Sequence, residues 1–217
     1  MQMKLKYVLA VIFICTGLFC TACSCELMNL SDAKQNVAQY YKNGAYDKEL
    51  NTIVSNELKK IKNLSFGNKE TAVFDIDETV LSNLEYTKAL DFGYDSKSWE
   101  EWIQQAKAKP IEPVKKLYDT LVAKGIRIVF LSGRSNDEYK ATIKNLEEAG
   151  YKSFDTLIVR NQNDAKLNVT QFKYEKRKEL SEKGYKIVYC VGDQVSDFWN
   201  GYTGIIIKLP NYLYKID

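Results

Sequence analysis

Apolar positions along this chain keep two alternating rhythms. Val37, Tyr40, Tyr41, Leu50, Ile53, Val54, Leu58 and Ile61 recur at helical spacing, which predicts helix over Ser31–Ser65 with a break at Asn43-Gly44. Thr71–Asp75 is a short apolar run with the character of a buried strand. A less regular insertion, residues 80–112, follows and is rich in aromatics: Tyr86, Phe92, Tyr94, Trp99 and Trp102. Within it Ser98 and Glu101 have capping-box spacing, predicting a short helix to about Lys109. The chain then settles into a cadence. Helix Pro113–Lys124 stops at Gly125, strand Arg127–Ser132 leads into a helix from Ser135, boxed by Glu138, to Ala149 that Gly150 closes, and strand Thr156–Arg160 follows. Helix Thr170–Lys183 stops at Gly184, and strands Lys186–Val191 and Gly204–Leu209 complete the pattern. This alternation predicts an α/β fold, a Rossmann-like parallel sheet with helices on both faces. Such sheets bind ligands beyond the carboxyl ends of their strands, where strand order reverses.

Composition narrows the chemistry. The 217 residues, 45% apolar and 27% charged, suit one globular domain. Two of the three units of net positive charge come from Lys4 and Lys6, no basic stripe is present, and nucleic acid is not expected as a structural partner. There is no histidine, which excludes Ser-His-Asp and Cys-His catalysis and His-ligated zinc, so carboxylates, Lys, Tyr or Cys must carry any proton transfer. Residues 1–22 have the form of an export signal, a charged start followed by an apolar run from Tyr7 to Cys20 too short for a comfortable membrane span. Thr21-Ala22 before Cys23 is similar to a bacterial lipobox, although Cys20 occupies the usual leucine position. Lipidation of Cys23 at the cell envelope is the expectation, with cleavage without a lipid, giving a secreted or periplasmic protein, as the alternative. The expected organisation is therefore a leader at 1–22, a tether and helical region at 23–66, and a core domain at 67–217. Cys190, inside an apolar run, reads as a small buried hydrophobe.

The candidate chemistry sits at strand ends. The first strand closes on Asp75-Ile76-Asp77, the next on Leu131-Ser132-Gly133-Arg134, and the strand at 186–191 on Gly192-Asp193-Gln194-Val195-Ser196-Asp197. Lys173 belongs to the helix preceding that last strand. Each feature alone fits a turn or a helix cap. Together they bring four acids, Asp75, Asp77, Asp193 and Asp197, toward one point, and such a group stays ionised only if a cation or strong hydrogen-bond donors compensate it. Mg2+ suits an all-oxygen site that also takes water and a substrate phosphate. Ser132, the backbone amides that follow it and Lys173 are placed to bind the remaining phosphate oxygens.

Phe74-Asp-Ile-Asp-Glu-Thr-Val-Leu-Ser-Asn83 resembles the first motif of the haloacid dehalogenase (HAD)-like phosphatases. Lys173-Tyr-Glu-Lys-Arg177, Gly192-Asp-Gln-Val-Ser-Asp197 and Lys208-Leu-Pro-Asn211 are similar to further segments of its acid phosphatase branch. That branch holds the bacterial class C lipoprotein acid phosphatases, the plant acid phosphatases and the vegetative storage proteins. The resemblance implies a core with strand order 5-4-1-2-3, a small helical and aromatic insertion after strand one, and no large cap domain. It implies that Asp75 is the nucleophile and Asp77 the general acid and base. It implies too that Asp75, the Asp77 backbone carbonyl and Asp193 hold Mg2+ with Asp197 as ligand or outer partner, and that Ser132, Gly133 and Lys173 bind the phosphoryl group. The substrate expected is a small phosphomonoester, nucleoside monophosphates included, consistent with acid phosphatase or 5′-nucleotidase activity. Tyr86, Trp99 and Trp102 either stack on a flat substrate group or pack the insertion onto the sheet, and Arg134 either touches substrate or caps its loop. A non-catalytic storage or binding protein on the same fold is the competing expectation.

Overall fold

A computed structural model describes residues 27–67 and 69–216 of the chain. The leader, Cys23 and Cys25 lie outside these residues. In chain order the elements are helices α1 (Leu30–Lys42) and α2 (Ala45–Lys62), strands β1 (Glu70–Phe74) and β2 (Leu81–Ser82), helices α3 (Leu84–Ala89) and α4 (Ser96–Gln105), strand β3 (Lys109–Pro110), helix α5 (Glu112–Ala123), strand β4 (Arg127–Ser135), helix α6 (Tyr139–Glu148), strand β5 (Thr156–Arg160), helix α7 (Val169–Glu182), and strands β6 (Lys186–Gly192) and β7 (Ile205–Lys208). None of the described helices is long and apolar enough to cross a membrane.

The five-stranded sheet is parallel throughout, in the order β5-β4-β1-β6-β7. Numbered among the core strands alone and read from the β7 edge, that is 5-4-1-2-3, the expected order. Alternation along the strands feeds two cores, as strand geometry requires. Ala72 and Phe74 of β1, with Ile128 and Phe130 of β4, pack with Leu50 and Val54 of α2, Leu117 and Leu121 of α5 and Leu146 of α6. Val73, Val129, Leu131 and Cys190 face the other way, onto Phe172 and Leu180 of α7. The helical hairpin at the amino end closes at Gly44, whose φ of 79° favours glycine. Its second helix reaches the core, whereas α1 has no buried residue and lies against α2.

The insertion differs in detail from the sequence expectation. Helix α4 is capped by Asp95, whose carboxylate accepts from the Ser98 amide at 2.8 Å, so it starts ahead of Ser98 and ends at Gln105 instead of near Lys109. Asp is among the strongest N-caps, and here it takes precedence over the Ser98–Glu101 pair. The ends of the insertion are tied by a small antiparallel ribbon, Leu81 opposite Pro110 and Ser82 opposite Lys109, which sequence periodicity does not reveal. By contrast, the box formed by Ser135 and Glu138 is present as expected, although it opens a short 3-10 turn ahead of α6.

Candidate active site

Strand β1 lies between β4 and β6, and the chain leaves it toward β4 before returning to β6, so strand order reverses there. Asp75 follows β1 directly, its amide still donating to the Val191 carbonyl of β6 at 2.9 Å. The next residues wind into a tight turn. The amides of Thr79, Val80 and Leu81 all donate to the Ile76 carbonyl, and Glu78 adopts a φ of 56°. Asp75 and Asp77 thus stay on one pocket while their carboxylates go to different cations.

Lys173, in the second turn of α7, donates to Asp75 Oδ1 at 2.6 Å and to Asp197 Oδ1 at 2.5 Å, with side-chain exposures of 5%, 7% and 3% in that order. Asp193 completes the group: one carboxylate oxygen from each of Asp75, Asp193 and Asp197 lies within 4.8 Å of the others. Asp193 is itself fixed by Thr79 Oγ1 at 3.0 Å on Oδ1, and by Gln194 at 2.5 Å and Asn211 at 2.7 Å on Oδ2. Asp197 comes so close to Gly192 that a Cβ there would lie 2.2 Å from its Oδ2. Only glycine lets β6 end beneath that carboxylate.

The second cation is Arg134, which follows Gly133 at the end of β4. Its Nη2 lies 2.6 Å from Asp77 Oδ1, and its Nη1 donates to Thr142 at 3.0 Å. Ser132 is fully buried, its hydroxyl accepting from the Arg134 amide at 3.2 Å, and it is Gly133 that reaches the pocket surface.

Charge balance tests whether these residues suit a metal. Among the described residues Asp75, Asp77, Glu78, Asp193 and Asp197 gather here, and Lys173 and Arg134 pair with three of them, Asp75, Asp197 and Asp77. Burial, opposed by Lys173 and reinforced by Asp197, Asp193 and Asp77, pushes the Asp75 carboxyl well above its ordinary range. Burial and then Asp197 raise Asp193, and burial and then Asp77 raise Glu78 to about 8. At Lys173 burial works against the charge, but Asp197 and then Asp75 outweigh it and hold the amine above its ordinary value. Three oxygen ligands with an excess of negative charge fit a hard divalent cation, whose charge removes this strain.

Above these groups opens a cavity of about 710 Å³. Asp75, Asp77, Lys173, Gly133 and Arg134 form its floor; Tyr86, Phe92, Tyr94 and Trp99 of the insertion form one wall, and Leu213 to Ile216 line it as well. Tyr86 and Trp99 meet edge to face at 5.2 Å. Of the aromatic residues singled out from sequence, Tyr86 and Trp99 therefore border the cavity, whereas Trp102 does not: it packs against the core, and its indole N–H donates to Asn83 at 2.8 Å. Sequence reasoning gave no role to Glu78, Thr79 and Asn83, although all three lie inside the quoted first motif, nor to Asn211 in the last quoted segment. Tyr214, whose hydroxyl donates to Glu78 at 2.5 Å, carried no sequence signal.

Comparisons with known proteins show the family and the fold. A family model described as HAD superfamily, subfamily IIIB (Acid phosphatase) matches residues 18–217. The stem 28 kDa glycoprotein of Glycine max is 35% identical over 184 residues, 82% of this chain and 72% of the relative. Acid phosphatase 1 of Solanum lycopersicum is 30% identical over 186 residues, 83% of this chain and 73% of the relative. Among solved structures, the class C acid phosphatase from Bacillus anthracis superposes with a TM-score of 0.68 at 24% identity, over 84% of this chain and 86% of the other, which is a likeness of fold.

Proposed function

The chain belongs to the HAD superfamily, subfamily IIIB acid phosphatases, and from that premise we propose that it is an exported, Mg2+-dependent hydrolase of small phosphomonoesters. The observation that carries this is the contact of one buried lysine, Lys173, with both Asp75 and Asp197 on the floor of an open, aromatic-walled cavity. Few structural arrangements call for a lysine, three buried carboxylates and a cavity together; phosphoryl transfer calls for all of them.

In the proposed mechanism an Asp75 oxygen forms a bond to phosphorus as the bond from phosphorus to the ester oxygen breaks. Asp77 delivers its proton to that departing oxygen, so the alcohol leaves neutral. Asp77, now a carboxylate, takes a proton from water as the water oxygen bonds to phosphorus. The bond from phosphorus to Asp75 then breaks, releasing phosphate and restoring both acids. Lys173, Gly133 and the Ser132 segment hold the phosphoryl oxygens. Asp75, Asp193, Asp197 and the Asp77 backbone carbonyl would hold Mg2+, which when bound supplies positive charge against the carboxylates and the phosphoryl oxygens. Tyr86 and Trp99 would flank a flat leaving group, which supports nucleoside monophosphates as candidate substrates. Residues 1–22 are proposed as the export leader and Cys23 as the lipidated residue.

A panel of aryl, sugar and nucleoside monophosphates, assayed with Mg2+ and with EDTA, tests the proposal. Phosphate release that is lost in EDTA, restored by Mg2+ and abolished by Asp75→Asn is the expected result. A folded protein inactive across the panel would favour the storage or binding role instead, and robust turnover by Asp75→Asn would remove the nucleophile. Palmitate labelling lost in Cys23→Ser checks the anchor.

A further inference from the structure

Asp77 has two oxygens in unequal surroundings. Oδ1 accepts from Arg134 Nη2 at 2.6 Å, from Asn83 Nδ2 at 2.9 Å and from Arg134 Nε at 3.2 Å, whereas Oδ2 receives Arg134 Nε alone, at 3.1 Å. Oδ1 is therefore saturated with donors, and Oδ2 is the oxygen with room for a proton.

Asn83 reinforces the asymmetry that Arg134 begins, and something else decides how Asn83 faces. An amide side chain offers an acceptor at one end and a donor at the other, and reversing it exchanges the two. Asn83 is fully buried, so water cannot arbitrate. Its Oδ1 faces the indole N–H of Trp102 at 2.8 Å, and an indole can only donate. Trp102 thus forces the amide oxygen toward itself and the Nδ2 hydrogens toward Asp77 and Glu78, at 2.9 and 3.4 Å. The Asn83 backbone is held as well, its N–H donating to Glu78 Oε1 at 2.7 Å, while Tyr214 holds the other oxygen of Glu78.

We propose that Trp102 and Asn83 are positioning residues for proton delivery: the indole N–H locks the Asn83 amide, and the locked amide, beside Arg134, occupies Oδ1 of Asp77 and leaves Oδ2 as the oxygen open to the departing group. Without the indole N–H, the Asn83 amide can reverse, which removes one donor from Asp77 Oδ1, sets the amide oxygen against it and loosens the aim of the carboxylate at the departing oxygen. The lock matters only if Asp77 is the general acid, so it rests on the reading proposed above. It gives the insertion a second task besides forming the cavity wall, because helix α4 sets the direction of an acid on the β1 turn.

Leaving-group dependence separates this role from a merely structural one. A p-nitrophenyl phosphate releases a stable phenolate and needs little protonation, whereas a simple alkyl phosphate releases an alkoxide and depends on it. In the Mg2+-loaded full chain, Trp102→Phe, which removes the N–H and keeps an aromatic ring, is expected to lower kcat/KM for the alkyl ester about tenfold more than for the aryl ester. Asn83→Ala is expected to widen that split, and Asp77→Asn to show it most strongly. Thermal unfolding of each variant checks folding, and Trp102→Phe keeps the test valid should Asn83→Ala not fold. Equal losses on both esters with Trp102→Phe, or no loss on either, while Asp77→Asn retains the split, would overturn the lock and leave Asp77 as the acid. No split in Asp77→Asn would remove Asp77 as the acid, and the lock with it.

Discussion

Replacing Lys173 by Met exposes how much of the site's stability depends on one amine. Lys173 contacts Asp75 and Asp197 at 2.6 and 2.5 Å from a nearly inaccessible position, and methionine fills similar volume without charge. Removing one partner of a buried ion pair costs about 3–5 kcal/mol, because the carboxylates left behind have neither water nor a counter-charge. For a chain of this size each kcal/mol lowers Tm by roughly 2–4 °C, so the metal-free variant should melt about 6–20 °C below the parent. The deficit should depend on pH. Asp75 already has a folded pKa above its ordinary value, and loss of Lys173 raises it further. A raised carboxyl favours the folded state below its unfolded pKa, and that benefit disappears as pH rises through the folded pKa. The gap between variant and parent should therefore widen with rising pH and narrow toward about pH 4, where carboxyls ordinarily protonate. Added Mg2+ should raise the variant's Tm more than the parent's, since the divalent charge replaces the missing one. Near-UV circular dichroism melts in EDTA and in Mg2+ measure all of this. A variant that melts within about 2 °C of the parent at every pH in EDTA would refute the idea that Lys173 compensates these acids.

Glu78 makes a separate contribution of known sign. Its carboxyl is raised from 4.5 to about 8, so its stabilisation is present below pH 4.5 and is lost as pH climbs through about 8. The full span is worth about 5 kcal/mol, and Glu78→Gln should flatten the Tm–pH curve of the metal-free protein over that window; an unchanged slope would contradict it. Gly192→Ala should displace the Asp197 carboxylate, weakening Mg2+ affinity measured by calorimetry about tenfold or more, whereas an undiminished affinity would mean that Asp197 does not contribute. Cys190 is buried, and burial pushes its thiol up to about 12, so DTNB should leave it untouched in the native protein at mildly alkaline pH and modify it on unfolding.

Much of this molecule was legible along the chain because the physics involved is local or periodic. The unbroken apolar run Ala72, Val73 and Phe74 fits a strand buried on both faces, and the tertiary structure uses both, with Phe74 on one core and Val73 on the other. Glycines at 125, 150 and 184 stop helices through a backbone preference for positive φ that needs no tertiary context. The acids, Ser132-Gly133 and Lys173 stood out because a parallel sheet delivers its strand ends to one edge whatever its loops do.

Other features belonged to the fold alone. Nothing in the spacing of Trp102 distinguishes a stacking surface from a hydrogen-bond donor, and only the arrival of Asn83 beneath its indole does so. Arg134 became the partner of Asp77 because β4 and the β1 turn end side by side, which joins residues 57 positions apart. Tyr214 reaches Glu78 across 136 positions. The chain by itself determined the order of the main helices and of the five core strands and the inventory of charged groups at the strand ends, since backbone propensity and hydrophobic period act over a few residues. The tertiary structure alone decided which carboxylate meets which cation and which amide faces which oxygen. Those pairings depend on distances of about 3 Å between segments that share no local sequence, and only close packing sets such distances.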